Sequence, residues 1–423
     1  RYKFNDHTPG LYKTTDYGNT WTKITDGLPA DAFTRVVRED DVRKDLLFAG
    51  TELGLFISWN GGQSWAPFQL NLPITPITDL RVYKGNLIAA TSGRAYWILD
   101  DLSLIRQYKK DGPSLGIYKP ASSYLVNGSS ELDSTEEEFT GANRYRGVNP
   151  ANGVVVYYQL PELKKTDEIT LEIKDSAGNL VRTFASKADN KLARSTNAGG
   201  EEPLLSKNKG LNRFVWDMRY ETMPGVPDIR VEGSFAAHKA PPGKYSLTLK
   251  LGDQTASTDA EILANPLYPT TPAVYSEYHQ TMLSMETELT TMHRMVNNLY
   301  EKQKQLESLL SSLSGDKYAA LKKDGEELVK KMKAWDEDMV QRKSKAYDDV
   351  ENFPNKFTAN YLFVINQTES DIPRVNQPSL DRMKELNAQW ATLKARGTEL
   401  LDKDVPAFNK KLWDAGLGAI WKS

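Results

Sequence analysis

The sequence predicts a multidomain β plus α protein, built from a partial β-propeller, an immunoglobulin-like β-sandwich and a long antiparallel helical hairpin widened into a bundle. Three observations predict it. A segment near the start repeats at an offset of 44 residues, from Leu11 to Leu55, close to the period of one propeller blade. Alternation of apolar and polar residues, the period of a half-buried strand, returns from about 150 to 265. Past Pro272 the period turns helical and sustains a heptad seam.

Residues 1–109 carry the repeat as terminal propeller blades. Leu11-Tyr12-Lys13-Thr14-Thr15-Asp16-Tyr17-Gly18-Asn19-Thr20-Trp21 is matched by Leu55-Phe56-Ile57-Ser58-Trp59-Asn60-Gly61-Gly62-Gln63-Ser64-Trp65, and Leu28-Pro29 by Leu72-Pro73. Each unit is a strand, a tight turn and a strand. Gly18 and Gly62 suit positive φ there, and an Asp or Asn side chain can bond its own backbone two residues on. Trp21 and Trp65 are both expected to bury between neighbouring units. Thr34–Arg38 and Leu46–Thr51 supply further strands, and a third unit starts with Asn86–Leu99, although Asp100-Asp101-Leu102-Ser103 does not restore the turn.

Residues 110–149 change composition: Val126-Asn127-Gly128-Ser129-Ser130 and Asp133-Ser134-Thr135-Glu136-Glu137-Glu138 mark a linker or surface loop. From 150 to 265, Val154–Tyr158, Ile169–Lys174, Leu180–Phe184, Asn212–Tyr220, Pro241–Lys250 and Thr258–Leu263 are strands whose hairpin spacing predicts the sandwich. In the helical region, 266–423, Tyr278, Met282, Met285, Leu289, Met292, Val296, Leu299, Gln303, Leu306, Leu310 and Leu313 step by alternating four and three. Ser314-Gly315-Asp316 breaks that helix. A second seam follows through Tyr318, Leu321, Gly325, Leu328, Met332, Trp335 and Met339, with Gly325 marking a close approach. A short loop between two such seams makes an antiparallel pair. Pro354 opens a shorter apolar helix through Phe357, Tyr361, Leu362 and Ile365. Ser379 is the expected cap of a last helix, which Pro406 interrupts.

Composition narrows the function. A formal net charge of −2, with acids and bases intermixed, lacks the footprint of a nucleic-acid binder. No run of 18 apolar residues is present to cross a bilayer as a helix. The absence of cysteine removes disulfides, thiolate metal sites and thiol nucleophiles. His7, His238, His279 and His293 show no metal-ligand spacing. His279 and His293 lie two heptads apart on one helix face, separated by ~21 Å, too far to share a metal, so neither a metal nor a cofactor is expected. The carboxylates Glu39, Asp40, Asp41, Glu52, Asp79, Asp100 and Asp101 stand on blade loops in no spacing that forces a glycosidase pair. Trp216-Asp217 is expected to be core plus a turn-facing acid, and the methionines of the first long helix are expected to be bundle core. No catalytic residue is assigned.

The turn pattern [ST]-x-[DN]-x-G-x-[ST]-W, carried by Thr14, Asp16, Gly18, Thr20 and Trp21 and again by Ser58, Asn60, Gly62, Ser64 and Trp65, resembles the Asp-box of the BNR repeat found in sialidases, some xyloglucan hydrolases and sortilin propellers. In that family Asp16 and Asn60 would stabilise the turn on the outside of the blade. The domain order is similar to large bacterial BNR or sortilin-like proteins, labelled as glycosyl hydrolases, with a FlgD-like or fibronectin-like sandwich after the propeller. Such proteins carry export signals, so the resemblance implies the bacterial periplasm or cell surface, with the remaining blades and a signal upstream of Arg1. Sialidases use an arginine triad and a tyrosine. Arg35, Arg38, Arg81 and Arg94 would supply only pieces of it. The leading expectation is a noncatalytic envelope scaffold or binding protein with protein partners in an outer-membrane-associated complex, helped by apolar seam residues left exposed on the helical hairpin. The alternatives are a glycoside hydrolase acting on a glycan, with its site mainly in upstream blades, and a sortilin-like receptor, although the cysteine-rich module of sortilins is missing.

Overall fold

The computed structural model describes residues 2–109, 112, 114–133, 147–189, 191–198, 201–346, 348–370 and 372–419. It is a mixed β and α molecule with several sheets and a C-terminal helical region. In the first repeat, β1 (Tyr12–Lys13) pairs antiparallel with β2 (Thr22–Lys23). The second repeat gives a four-stranded antiparallel sheet of β3 (Thr34–Glu39), β4 (Leu47–Thr51), β5 (Gly54–Ser58) and β6 (Ala66–Pro67). A three-stranded sheet follows, β7 (Ile77–Tyr83), β8 (Asn86–Thr91) and β9 (Tyr96–Leu99). Phe48, Leu55 and Ile57 of the second repeat share one core with Ile77, Leu80 and Leu87 of the third sheet. Arg106, on the short helix α1 (Ser103–Gln107), clamps the buried Asp40 carboxylate at 2.9 Å.

Two sheets then enclose a second core. One is β10 (Gly116–Ile117), β12 (Val154–Leu160) and β15 (Gly210–Trp216); the other is β11 (Ser123–Tyr124), β17 (Gln254–Leu263), β16 (Gly243–Leu251), β13 (Ile169–Asp175) and β14 (Leu180–Ala185), in that order. Alternate residues of each strand point inward: Val154, Val156, Tyr158 and Leu160 meet Ile169, Leu171, Ile173, Leu247 and Leu249. Trp216 is fully buried there, its indole N–H donating to the Arg219 carbonyl, while Asp217 pairs with Arg182. The 110–149 stretch is therefore not only connector. Its β10 and β11 extend the two sheets, and Leu125 is buried beneath them. With two residue pairs each, these strands are too short to show a period. The acidic run Glu136-Glu137-Glu138 lies outside the described residues.

The C-terminal region begins with α2 (Pro272–Ser312), 41 residues and roughly 60 Å long. It packs against α3 (Ala319–Met339), and α4 (Asp349–Asn352), α5 (Phe357–Ser370), α6 (Gln377–Glu399) and α7 (Val405–Asp414) complete the unit. From Tyr278 to Leu310 every seam residue of α2 is buried. Among the described residues the α2 seam is not left open, contrary to the expectation of an exposed hairpin. The far side is covered by α5 to α7 and by Met223, Val226, Ile229, Val231 and Phe235, which arrive from the long connection between β15 and β16. The cap of α6 is Asn376, whose side chain accepts from the Ser379 N–H at 2.8 Å; Ser379 is thus the third helical residue and not the cap. A widened π-type turn at Leu400–Asp404 precedes α7, so Pro406 falls in a first turn, where a missing N–H is tolerated.

Gly325 is the tightest point of the helix pair. A Cβ there would lie 2.6 Å from Leu310 Cδ2 and 2.9 Å from Phe408 Cζ, both of buried side chains. Gly325→Val is expected to lower stability in denaturant unfolding by about 1–3 kcal/mol through overpacking. Unchanged or raised stability would contradict this packing.

Candidate functional site

The turns of the two repeats are built alike. In the first, Asp16 Oδ1 accepts from the Thr20 N–H at 2.9 Å and from the Thr14 hydroxyl at 2.8 Å, and Thr14 Oγ1 accepts from the Gly18 N–H. Asp16 Oδ2 takes the Thr20 hydroxyl at 2.7 Å. The Thr20 N–H foremost, then the Thr20 and Thr14 hydroxyls, hold the Asp16 carboxyl down at about 2. In the second, Asn60 Oδ1 accepts from Ser64 N–H at 3.0 Å and from the Ser58 hydroxyl at 2.8 Å, Ser58 Oγ accepts from Gly62 N–H, and Asn60 Nδ2 donates to Ser64 Oγ. An uncharged amide completes the same loop. The turn therefore depends on one acceptor oxygen and not on charge.

The repeats differ in what their tryptophans meet. Trp65 is 5% exposed and donates its indole N–H to the Ile24 carbonyl of the first repeat at 2.8 Å, while its own N–H reaches the Asp26 carbonyl. Around it Leu11, Leu28, Ala49 and Phe56 form a small core. Two glycines permit the approach: a Cβ on Gly27 would lie 2.3 Å from the Trp65 carbonyl oxygen, and one on Gly62 2.6 Å from Ile24 Cδ1. Trp21 is 61% exposed, and its indole N–H donates to the Gly18 carbonyl of its own turn. The expectation that both tryptophans bury between units is thus corrected for Trp21, whose indole folds back onto its own turn. Tyr12 and Tyr17 are exposed beside it in the same repeat, whereas Phe56, the counterpart of Tyr12, is buried.

Of the loop carboxylates, Asp40 and Asp41 meet Arg106, Glu52 meets Arg35 at 2.6 Å, Asp79 meets Arg38 at 2.7 Å, Glu39 accepts from the Asp45 N–H and Asp101 from the Ser103 N–H. Burial, then the neighbouring Asp101, push the Asp100 carboxyl up.

A second constellation joins the sheet pair to the helices. His238 lies in the connection between β15 and β16 and is fully buried. Its backbone N–H donates to Glu286 Oε1 at 2.7 Å, its Nδ1 stands 2.8 Å from Glu286 Oε2, and its Nε2 stands 2.8 Å from Nδ1 of His279. The Tyr220 ring stacks over both imidazoles at 4.6 and 5.3 Å. Burial first, then the Asp175 and Glu286 carboxylates, push the Tyr220 hydroxyl up to about 12. Burial and then His238 hold His279 below its ordinary value. Further along α2, His293 Nδ1 donates to the Pro224 carbonyl at 2.7 Å, and burial holds this imidazole down at about 4 against the lift of that bond. Asn297 reaches the Gly225 carbonyl, and from α5 Asn366 exchanges two hydrogen bonds with Ser234. Arg219 bridges the Ala237 carbonyl and Glu369.

His279, Glu286 and His293 stand seven residues apart, one step beyond Tyr278, Met285 and Met292 of the seam. The shared face of the two histidines is legible in the heptads; the Glu286 between them and the partner His238, distant in sequence, are not. The cluster is a linear chain of hydrogen bonds and not a ligand set. Among the described residues no group of three or more His, Asp or Glu is arranged to hold a metal, and no helix is long and apolar enough to cross a membrane.

No family model and no curated protein matches the chain. Among solved structures it is similar to the extracellular domain of a hybrid two-component system from B. thetaiotaomicron, at 11% identity and a TM-score of 0.20, over 62% of this chain and 29% of that one. The chain thus spans 29% of that structure's length, and a likeness of this degree carries no argument.

The contrast between the repeats is measurable. Trp65→Ala is expected to cost about 3–5 kcal/mol in denaturant unfolding of the N-terminal sheets, as a buried aromatic lost to a cavity, and Trp21→Ala to stay within about 0.5 kcal/mol. Equal costs would show that the two tryptophans are not in different environments.

Proposed function

We propose that the chain is a noncatalytic scaffold or binding protein of a bacterial cell envelope or surface, acting through protein–protein contacts as a subunit of an outer-membrane-associated complex. On this reading its repeats are Asp-box blades of a β-propeller, and its two-sheet core is an immunoglobulin-like sandwich. The observation that carries the proposal is that Asp40, Asp41, Glu52 and Asp79, carboxylates a hydrolase would need free, each face a guanidinium. The exposed Tyr12, Tyr17 and Trp21 supply aromatic side chains of the kind that anchor protein interfaces.

A photo-crosslinking amino acid placed at Tyr17 in living cells is expected to give a discrete adduct with an envelope protein, and the same group at Thr255, an exposed residue near the start of β17, to give none. Trp21→Ala should weaken the Tyr17 adduct. No adduct at Tyr17, equal adducts at both positions, or glycan cleavage by the purified chain would overturn the reading.

A further inference from the structure

Three of the chain's four histidines, His238, His279 and His293, lie on one internal interface, between α2 and the connection from β15 to β16. Their geometry constrains how many protons they can hold. The Glu286 carboxylate accepts from His238 Nδ1–H, which leaves Nε2 of a neutral His238 to accept from Nδ1–H of His279. The two facing nitrogens cannot both carry a hydrogen. With both rings charged, each of the two nitrogens 2.8 Å apart would carry a hydrogen, and the contact would become a repulsion between like charges. His293 has a separate constraint, as its ring is buried against Phe235 with a backbone carbonyl as its hydrogen-bond partner.

The carboxylates around these rings offset burial only in part, since Asp175 lifts His279 but burial and His238 outweigh it. Glu286 comes from α2 itself, and the Asp175 carboxylate, at the end of β13, acts on His279 without a hydrogen bond to it. Arg219 is engaged by Glu369 of α5. Tyr220 and Tyr278 present rings to His238. Beneath the connection lie Met223, Val226, Ile229, Val231 and Phe235, all seated on the helical core.

We propose that this interface is an acid-released joint: protonation of His279 and His293 frees the 217–242 connection from α2 and uncovers the apolar surface between them. The direction follows from linkage. The closed joint keeps His279 and His293 neutral below their ordinary value of 6.5, so the open form binds more protons, and closure is lost as pH falls from about 6.5 toward 4. His293 alone, titrating at about 4 when closed and at its ordinary 6.5 when freed, shifts the balance toward opening by up to roughly 300-fold.

The chain contains no cysteine, so Gln254→Cys and Ser308→Cys, both at exposed positions, allow two spin labels to be placed cleanly on the full chain. Pulsed electron paramagnetic resonance should give one narrow distance at pH 7.5 that broadens between pH 6.5 and 4, while the circular dichroism of the sheets persists. Adding His279→Asn and His293→Asn, whose amides can donate where Nδ1 does but do not titrate, should keep the distance narrow throughout. Should the double variant not fold at pH 7.5, His279→Asn alone should move the transition to lower pH. A narrow distance down to pH 4, broadening unchanged by the substitutions, or broadening only together with loss of the sheet signal would overturn the proposal.

Discussion

Helix α2 is buried along two stripes at once, and the arrangement of the C-terminal two thirds of the chain depends on it. Its seam faces α3 and the later helices through Met282, Leu289, Val296 and Leu306, and the adjoining stripe of His279, Glu286 and His293 faces the connection from the sheets. Its first turn sends Tyr275 into the core between the two sheets. A helix so placed shares residues with both cores. Apolar burial supplies the drive: each of the five side chains from Met223 to Phe235 contributes roughly 1.5–3 kcal/mol, against about 0.5–1.5 kcal/mol net for an ordinary hydrogen bond. The polar groups set register. A buried carboxylate such as Glu286 left without His238 would cost several kcal/mol, so a shifted seating of the connection is excluded more strongly than the correct seating is favoured.

The N-terminal repeats work by a different division of labour. Each box turn closes on its own hydrogen bonds, with Asp16 or Asn60 as acceptor, whether or not anything covers it. Packing is left to the tryptophan that follows. Trp65 crosses to Ile24 of the first repeat, whereas Trp21 folds back on Gly18 of its own turn.

Periodic features were legible in the sequence because burial on one face imposes a period. The α2 seam from Tyr278 to Leu310, the strands Val154–Leu160 and Ile169–Asp175, and the paired box turns all follow from spacing. What escaped has no period. β10 and β11 are two residues long, and the Asn376 cap competes with a nearby serine that looks equally suitable. The connection from β15 to β16 docks through scattered residues whose partners lie 31 to 132 positions away, as with Val226 on Ser195 and Ser234 on Asn366. Trp21 and Trp65 occupy equivalent places, so the repeat alone cannot tell which one is covered. The histidine chain was half visible: heptad spacing puts His279 and His293 on one face, but only the fold brings His238 between His279 and Glu286.

The central claim is that the connection and α2 form one cooperative body at neutral pH. Amide hydrogen exchange at pH 7.5 tests it directly, using the N–H groups of Val226, Ser234 and His238, which donate to Ser195, Asn366 and Glu286. The account predicts that these amides open with the same free energy as those in the middle of α2. Exchange at rates typical of an exposed loop, while α2 stays protected, would show that the connection only rests on the helix and would contradict the account.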